Sequence, residues 1–392
     1  PEIGLTPQTV ARLTQRLNAV CVVLHSSVPD GERLRTWQRV MSGEAQLLIG
    51  TRSSVFTPMP HLGLVVVDEE HDSSFKQMQG VHYHARDIAV VRARAAHCPV
   101  VLGSATPMLE TLLNVQRGRY THLTLTRRGG NAEPPTVSLL DVRNVKLIEG
   151  LASNTLEAIA QHVQAQGQVL VFLNRRGYAP VLLCHGCGYV LDCNRCDAHL
   201  TYHKSLGKLK CHHCEWQDTI PEQCPHCQTK DWRAIGQGTQ RTEALLRERF
   251  PDVGILRFDS DNLSTRKQLD EALTQVREGQ VQILIGTQML AKGHDFPNLT
   301  LAVMVDADGG IYSTDFRALE RLGQMVTQVS GRAGRAQRAG EVLIQTHHPD
   351  HPQLQLLLRQ GYPAFAKTVL QERWLKRIRR IRLRHGGRHL RY

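Results

Sequence analysis

The sequence predicts an α/β protein with two parallel-sheet lobes, the second carrying an inserted double metal-binding module. Three observations lead there. Short Val/Ile/Leu-rich runs alternate with longer amphipathic stretches, the pattern of parallel strands covered by helices on both faces. The alternation breaks near residues 127–152 and then resumes, and 392 residues suit two or three domains of about 100–200 residues each. Eight of the ten cysteines lie between Cys184 and Cys227, as four CxxC pairs.

In chain order, strands are expected over 20–25, 46–50, 63–67 and 98–102, and then over 168–173, 253–258, 281–286, 299–305 and 340–345. Helical periodicity fills 7–17, 32–41, 86–96, 156–166, 240–250 and 266–278. The polar, Gly- and Pro-containing stretch from Arg127 to Pro135 opens a linker placed at 128–152. The first lobe is thus 1–127, the second 153–183 with 228–366, the cysteine insertion 184–227, and a basic tail 367–392.

Charged residues at 21% and hydrophobic residues at 41% exclude a disordered chain. No apolar run reaches the ~18 residues of a membrane-spanning helix, and no signal peptide opens the chain, so a cytoplasmic protein without a membrane partner is expected. The chain starts at Pro1 inside what reads as an ordered segment, and a piece of a longer protein is expected. The net charge of +12 is concentrated: residues 367–392 hold ten Lys/Arg against one Glu, a net +9, which leaves +3 for residues 1–366. Any nucleic-acid binding by the body must therefore rest on its motifs.

In parallel sheets, function gathers at the carboxyl ends of strands. Gly63-Leu-Val-Val-Val67 runs into Asp68-Glu-Glu-His71. Carboxylates at a strand end suit a hydrated Mg²⁺, with Asp68 supporting the metal and Glu69 orienting and deprotonating an attacking water. Val100–Leu102 leads into the small-residue turn Gly103-Ser-Ala-Thr-Pro107, suited to sensing a phosphate. Gln328-Val-Ser-Gly-Arg-Ala-Gly-Arg335 places Arg332 and Arg335 three apart, on one helical face, as stabilisation of a dissociating γ-phosphate requires.

The cysteine spacing is Cys184-x₂-Cys187-x₅-Cys193-x₂-Cys196-x₁₄-Cys211-x₂-Cys214-x₉-Cys224-x₂-Cys227. Each CxxC turn offers two thiolates to one metal, so four turns predict two tetrahedral zinc sites. Sequential, interleaved and nested pairings are all open. The 14-residue spacer suits a hairpin with arms at 198–202 and 208–210, whose closure would bring the outer turns together. His185, His212, His213 and His226 read as bystanders, because eight thiolates satisfy two ions. Cys21 and Cys98 read as small buried hydrophobes beside strands.

Asp68–His71, Gly103–Pro107, Gly286–His294 and Gln328–Arg335 stand in the order of motifs II, III, V and VI of superfamily 2 helicases, and residues 1–8 resemble motif Ia. With four CxxC pairs between the lobes' motifs, residues 1–366 resemble the bacterial replication-restart helicases, the PriA (primosomal protein N′) family. The resemblance implies two RecA-like lobes and an ATP-dependent 3′-to-5′ DNA helicase that recognises stalled forks and restarts replication. Its cofactors are ATP, Mg²⁺ and two zinc ions in the nested scheme, Cys184/Cys187/Cys224/Cys227 and Cys193/Cys196/Cys211/Cys214. Its partners are single-stranded and forked DNA, the single-stranded-DNA-binding protein and other primosome proteins.

Carried onto this chain, the resemblance makes Arg335 the arginine finger and Arg332 a second phosphate-facing arginine. Glu70, His71, Gly293 and Asp295 fall at the nucleotide. The loop 73–86, with Phe75, His82, Tyr83 and His84, resembles an aromatic-rich loop coupling DNA to ATP turnover, although Val81 stands where the family often has tryptophan. Two departures stand out. The P-loop pattern G-x-x-x-x-G-K-[ST] is absent from the 392 residues, so this piece is expected not to turn over ATP. After 366 the family's Leu-Pro-Pro segment is replaced by Arg373-Trp-Leu-Lys-Arg-Ile-Arg-Arg-Ile-Arg-Leu-Arg384, read as an aberrant terminus, with a basic DNA-binding helix as the alternative. The rival functional reading is a non-catalytic, zinc-stabilised DNA-binding or primosome-assembly piece.

Overall fold

The computed structural model describes residues 6–125, 134–173, 181–196, 198–203, 206–234, 239–258, 266–286, 296, 298–334 and 340–384. Two compact units divide at Tyr120/Thr121.

In the first unit, Cys21–Leu24 pairs in parallel with Leu47–Gly50, and Val65–Val67 with Val100–Leu102. Helix Thr6–Leu17 precedes the first strand, and helices Asp30–Met41, Ala85–Ala95 and Leu109–Gln116 come after strands further along. Asp30 and Glu32 open one helix and Arg39 closes it, complementing its dipole. Val67, Phe75, Ala85 and Ala89 form one small core, and Val22, Val40 and Ala45 another. Cys21 and Cys98 are only half-buried, which corrects their reading as core residues.

The second unit is built on a six-stranded parallel sheet in the order Ile255–Phe258, Ile283–Gly286, Gln168–Phe172, Leu299–Met304, Glu341–Thr346, Thr136–Asp141. Every residue of Gln168–Phe172 and Leu299–Met304 is buried, which explains their largely apolar composition. Thr136–Asp141, inside the stretch read as a linker, is an edge strand, and Leu147–Ile148 with Leu151–Ala152 forms a hairpin. Helix Ala318–Ser330 packs on Pro352–Arg384, which breaks at Gly361 (φ 76°) just before Pro363. Phe365, Ala366 and Val369 are buried, and Arg373 donates to Glu320 at 2.9 Å. The packed helix therefore runs past 366, where the tail was expected to begin.

Between the strands at 168 and 255 lies the cysteine module. Leu182–Cys184 pairs antiparallel with Trp232–Ala234, and Thr201–His203, Lys208–Lys210 and Gln217–Thr219 form a three-stranded meander. Its own core centres on Leu182, Leu191, Leu200 and Leu209.

Candidate ATPase strand ends and zinc centre

The register Val67↔Leu102 sets the ends of two strands side by side, so Asp68–His71 and Gly103–Pro107 emerge together. Gly103 donates its N–H to Val67, and Glu70 donates its N–H to Gly103. Asp68 stays exposed. Glu69 is half-exposed and sits at φ 51°, in the left-handed region that is uncommon for non-glycine residues. His71 Nδ1 lies 2.7 Å from the Ser104 hydroxyl and 3.4 Å from Glu69 Oε2. One imidazole thus bridges the two sequence motifs.

Glu70 is fully buried. Its carboxylate accepts from Arg86 Nη1 at 3.0 Å, the Met108 N–H at 2.7 Å and the Thr111 hydroxyl at 3.0 Å. The side chain thereby ties the strand end to two helices. The carboxylate, expected at the nucleotide, faces inward onto these three donors. In the loop 73–86, Phe75 is core, Tyr83 meets Phe56 edge-on at 4.9 Å, and Val81 stands 82% exposed at the tip of the Lys76–Gln77/Tyr83–His84 hairpin. Arg332 is buried just beyond helix Ala318–Ser330. Arg335, Gly293 and Asp295 lie outside the described residues.

The eight cysteines form two groups, Cys184/Cys187/Cys224/Cys227 and Cys193/Cys196/Cys211/Cys214, with the sulfurs of each within 4.8 Å of one another. This is the nested pairing. Sulfur separations of 3.4 Å (Cys184–Cys227), 3.8 Å (Cys187–Cys224) and 3.5 Å (Cys193–Cys214 and Cys196–Cys211) suit a tetrahedron of Zn–S bonds of about 2.3 Å, whose edges are about 3.8 Å. Backbone N–H groups of Arg195, His213 and His226 point at Cys193, Cys211 and Cys224 sulfurs at 3.4 Å. Hydrogen bonds from Thr229 hold the Cys227 thiol down at about 6, whereas burial pushes Cys184 up to about 12. The donor set fits two zinc ions, each of which would offset half the charge of its four thiolates and close its part of the ribbon.

Of the four bystander histidines, His185 is buried and engaged at both ring nitrogens, 2.8 Å from His347 Nε2 and 2.8 Å from the Val145 carbonyl. His347 Nδ1 lies 2.7 Å from the buried Asp308 carboxylate. His185 Nε2 faces the Val145 carbonyl and His347 Nδ1 the Asp308 carboxylate, so the contact between His185 Nδ1 and His347 Nε2 lies in the middle of the chain. Burial works against the Asp308 carboxylate, yet bonds from His347 and Thr346 keep its pKa below the ordinary value. Sequence reasoning missed both this chain and the Glu70 cluster, because the partners stand 16 to 162 residues apart without a shared motif.

Comparison with known proteins places these features. Residues 1–115 match the DEAD/DEAH box helicase family, 193–218 the PriA DNA helicase Cys-rich region, and 227–337 the helicase conserved C-terminal domain. A RecG structure bound to a three-way DNA junction superposes with TM-score 0.51 at 15% identity, over 94% of this chain and 38% of that one. Two helicase-type α/β lobes with a double zinc ribbon set into the second define the class. The Replication restart protein PriA of Haemophilus influenzae is 49% identical over 373 residues, 95% of this chain and 51% of its own length. That of Bacillus subtilis is 41% identical over 377 residues, 95% and 47% respectively. The chain belongs to the PriA family, and it spans about half the length of the curated relatives it matches.

Proposed function

We propose that this chain supplies the helicase lobes and zinc ribbon of an ATP-dependent 3′-to-5′ DNA helicase that restarts replication at stalled forks. The observation that carries this reading is the strand-end cluster. Glu70 and His71 hold motif II against the motif III turn, while Asp68 and Glu69 remain presented to solvent. Mg²⁺-ATP, when bound, supplies the phosphoanhydride whose hydrolysis drives movement. Asp68 would hold the metal, Glu69 would orient water and take its proton, and His71 would couple the two motifs through Ser104. Arg332 and Arg335 would balance phosphate charge, and Gly293 and Asp295 would serve nucleotide binding. The domain limits are those read above, except that 136–152 belongs with the second lobe and its last helix extends beyond 366. Single-stranded and forked DNA are the substrates, the single-stranded-DNA-binding protein and primosome proteins the partners, and the cytoplasm the location. No helix among the described residues is long and apolar enough to cross a membrane.

Two sources of DNA affinity are separable. Residues 375–392 carry eight Lys/Arg and no acidic residue. Their binding is non-specific and steeply salt-dependent, since each neutralised phosphate of a single strand adds about −0.7 to the log–log slope. Binding by the body rests on its motif loops and rings, and survives salt better. Truncation after Trp374 therefore flattens the salt dependence of single-strand affinity while leaving binding measurable by fluorescence anisotropy. Loss of all binding on truncation would contradict the reading for the body.

A further inference from the structure

The outer zinc ribbon turn is fastened to the strand ends of the second unit at several points. His185, between Cys184 and Cys187, joins His347 and through it Asp308, at 2.8 and 2.7 Å. Asp308 opens the short helix after strand Leu299–Met304, and also accepts from the Thr346 hydroxyl and the His347 N–H beyond Glu341–Thr346. The other side of the turn meets the loop after Thr136–Asp141. Asn144 donates its N–H to the His185 carbonyl at 3.1 Å and its side-chain amide to the Gly186 carbonyl at 2.9 Å. At Gly186 a Cβ would stand 3.3 Å from both Cys227 Sγ and Asn144 Oδ1, so one small residue separates a metal ligand from the lobe. At Gly188 (φ 81°) a Cβ would come within 3.0 Å of the His347 carbonyl. The inner cysteines differ: Cys193 and Cys211 are buried in the ribbon's own core.

We infer that the outer four-cysteine site is a positional lock, in which His185 and His347 tie metal occupancy to the arrangement of residues 305–312 and 345–351. The inner site chiefly shapes the ribbon, and its hairpin meets 305–312 through the His199 ring, edge-on to Tyr312 at 5.4 Å with no hydrogen-bonded relay. A CxxC turn closed by metal holds His185 at the one orientation that satisfies both nitrogens. An open turn leaves the His347–Asp308 pair without its third member, and a buried polar group that loses its partner is costly. Coupling of this kind is reciprocal: if the ion steadies the strand ends, the strand ends retain the ion. His347 is accordingly a positioning residue for a metal site more than a hundred positions away in sequence, and partners beyond the ligands commonly change metal affinity by about 10–100-fold. The inference rests on the zinc centre alone and does not depend on helicase activity.

The test uses zinc-loaded protein challenged with a chelating indicator, with hydrogen exchange followed by mass spectrometry. His347→Ala releases one of the two ions about 10–100-fold faster and raises exchange at 184–188, leaving 193–214 as in the wild type. Asn144→Gly, which keeps the left-handed backbone (φ 57°) and removes only the amide bridge, shifts the same ion in the same direction should His347→Ala fold poorly. His226→Ala, whose ring stacks on Tyr189 away from the relay, retains both ions. In the reverse direction, Cys227→Ser raises exchange over 305–312 and 345–351, and Cys214→Ser does so much less. Release of both ions at the wild-type rate from His347→Ala and Asn144→Gly overturns the inference. So does equal loosening of the strand ends by the two cysteine variants.

Discussion

Three successive carboxylates, Asp68, Glu69 and Glu70, look alike in sequence and differ entirely in environment. The first is exposed, the second half-exposed and the third fully buried against Arg86. Burial of Glu70 is tolerated because all its donors come from within the unit, so removing one partner strands a charge in the interior. Arg86→Met is expected to cost about 3–5 kcal/mol of first-unit stability in urea denaturation. A loss below about 1 kcal/mol would mean that Glu70 finds water or another donor. The placement of acids at a strand end was legible because acidic residues followed an apolar run; which acid faces inward was not, since that depends on residues 86, 108 and 111. His351 makes a second residue-scale case. Burial, reinforced by neighbouring His348, pushes its pKa down to about 4, with Asp308 acting weakly in the opposite sense and Tyr312 packed on the ring. A lowered histidine pKa means that the folded state binds fewer protons than the unfolded chain. The corresponding stability is complete above about pH 6.5 and is lost as pH falls towards 4. Denaturation midpoints measured between pH 7 and 4.5 should fall less steeply for His351→Gln than for the wild type.

At the scale of elements, strands were legible where both faces are buried. The runs at 168–173 and 299–305 differ from Gln168–Phe172 and Leu299–Met304 by a single terminal residue. Thr136–Asp141 was not, because an edge strand is half-buried and its mixed composition reads as linker. The hairpin arms of the ribbon were partly legible, and the nested metal pairing follows from the antiparallel register Thr201↔Lys210 that closes them. The contact between the last two helices depends on Gly323, where a Cβ would lie 2.2 Å from the buried Phe365 ring. Alanine ordinarily favours a helix by about 1 kcal/mol over glycine. Here overpacking dominates, and Gly323→Ala is expected to destabilise the second unit by about 1–3 kcal/mol. Gly323→Ala with Phe365→Leu should recover part of that loss in the same thermal melts. An alanine variant as stable as the wild type would show that the two helices separate freely.

For the whole molecule, family membership was legible in motif order, whereas the links that make each unit cohere were not. Those links are Glu70 to Arg86 in the first unit and His185 to Asp308 through His347 in the second. The central claim is that Asp68 and Glu69 serve an ATP-driven DNA motor. The 392 residues contain no G-x-x-x-x-G-K-[ST], so by themselves they should hydrolyse ATP no faster than background with or without DNA. The most direct measurement compares ATP turnover on forked DNA by a protein of the relatives' full length, carrying this sequence with Glu69 or with Glu69→Gln. The account predicts DNA-stimulated turnover with strand displacement for the first, and retained DNA binding with turnover reduced at least about 100-fold for the second. Equal turnover by both proteins, or none stimulated by DNA in the unsubstituted one, would contradict it.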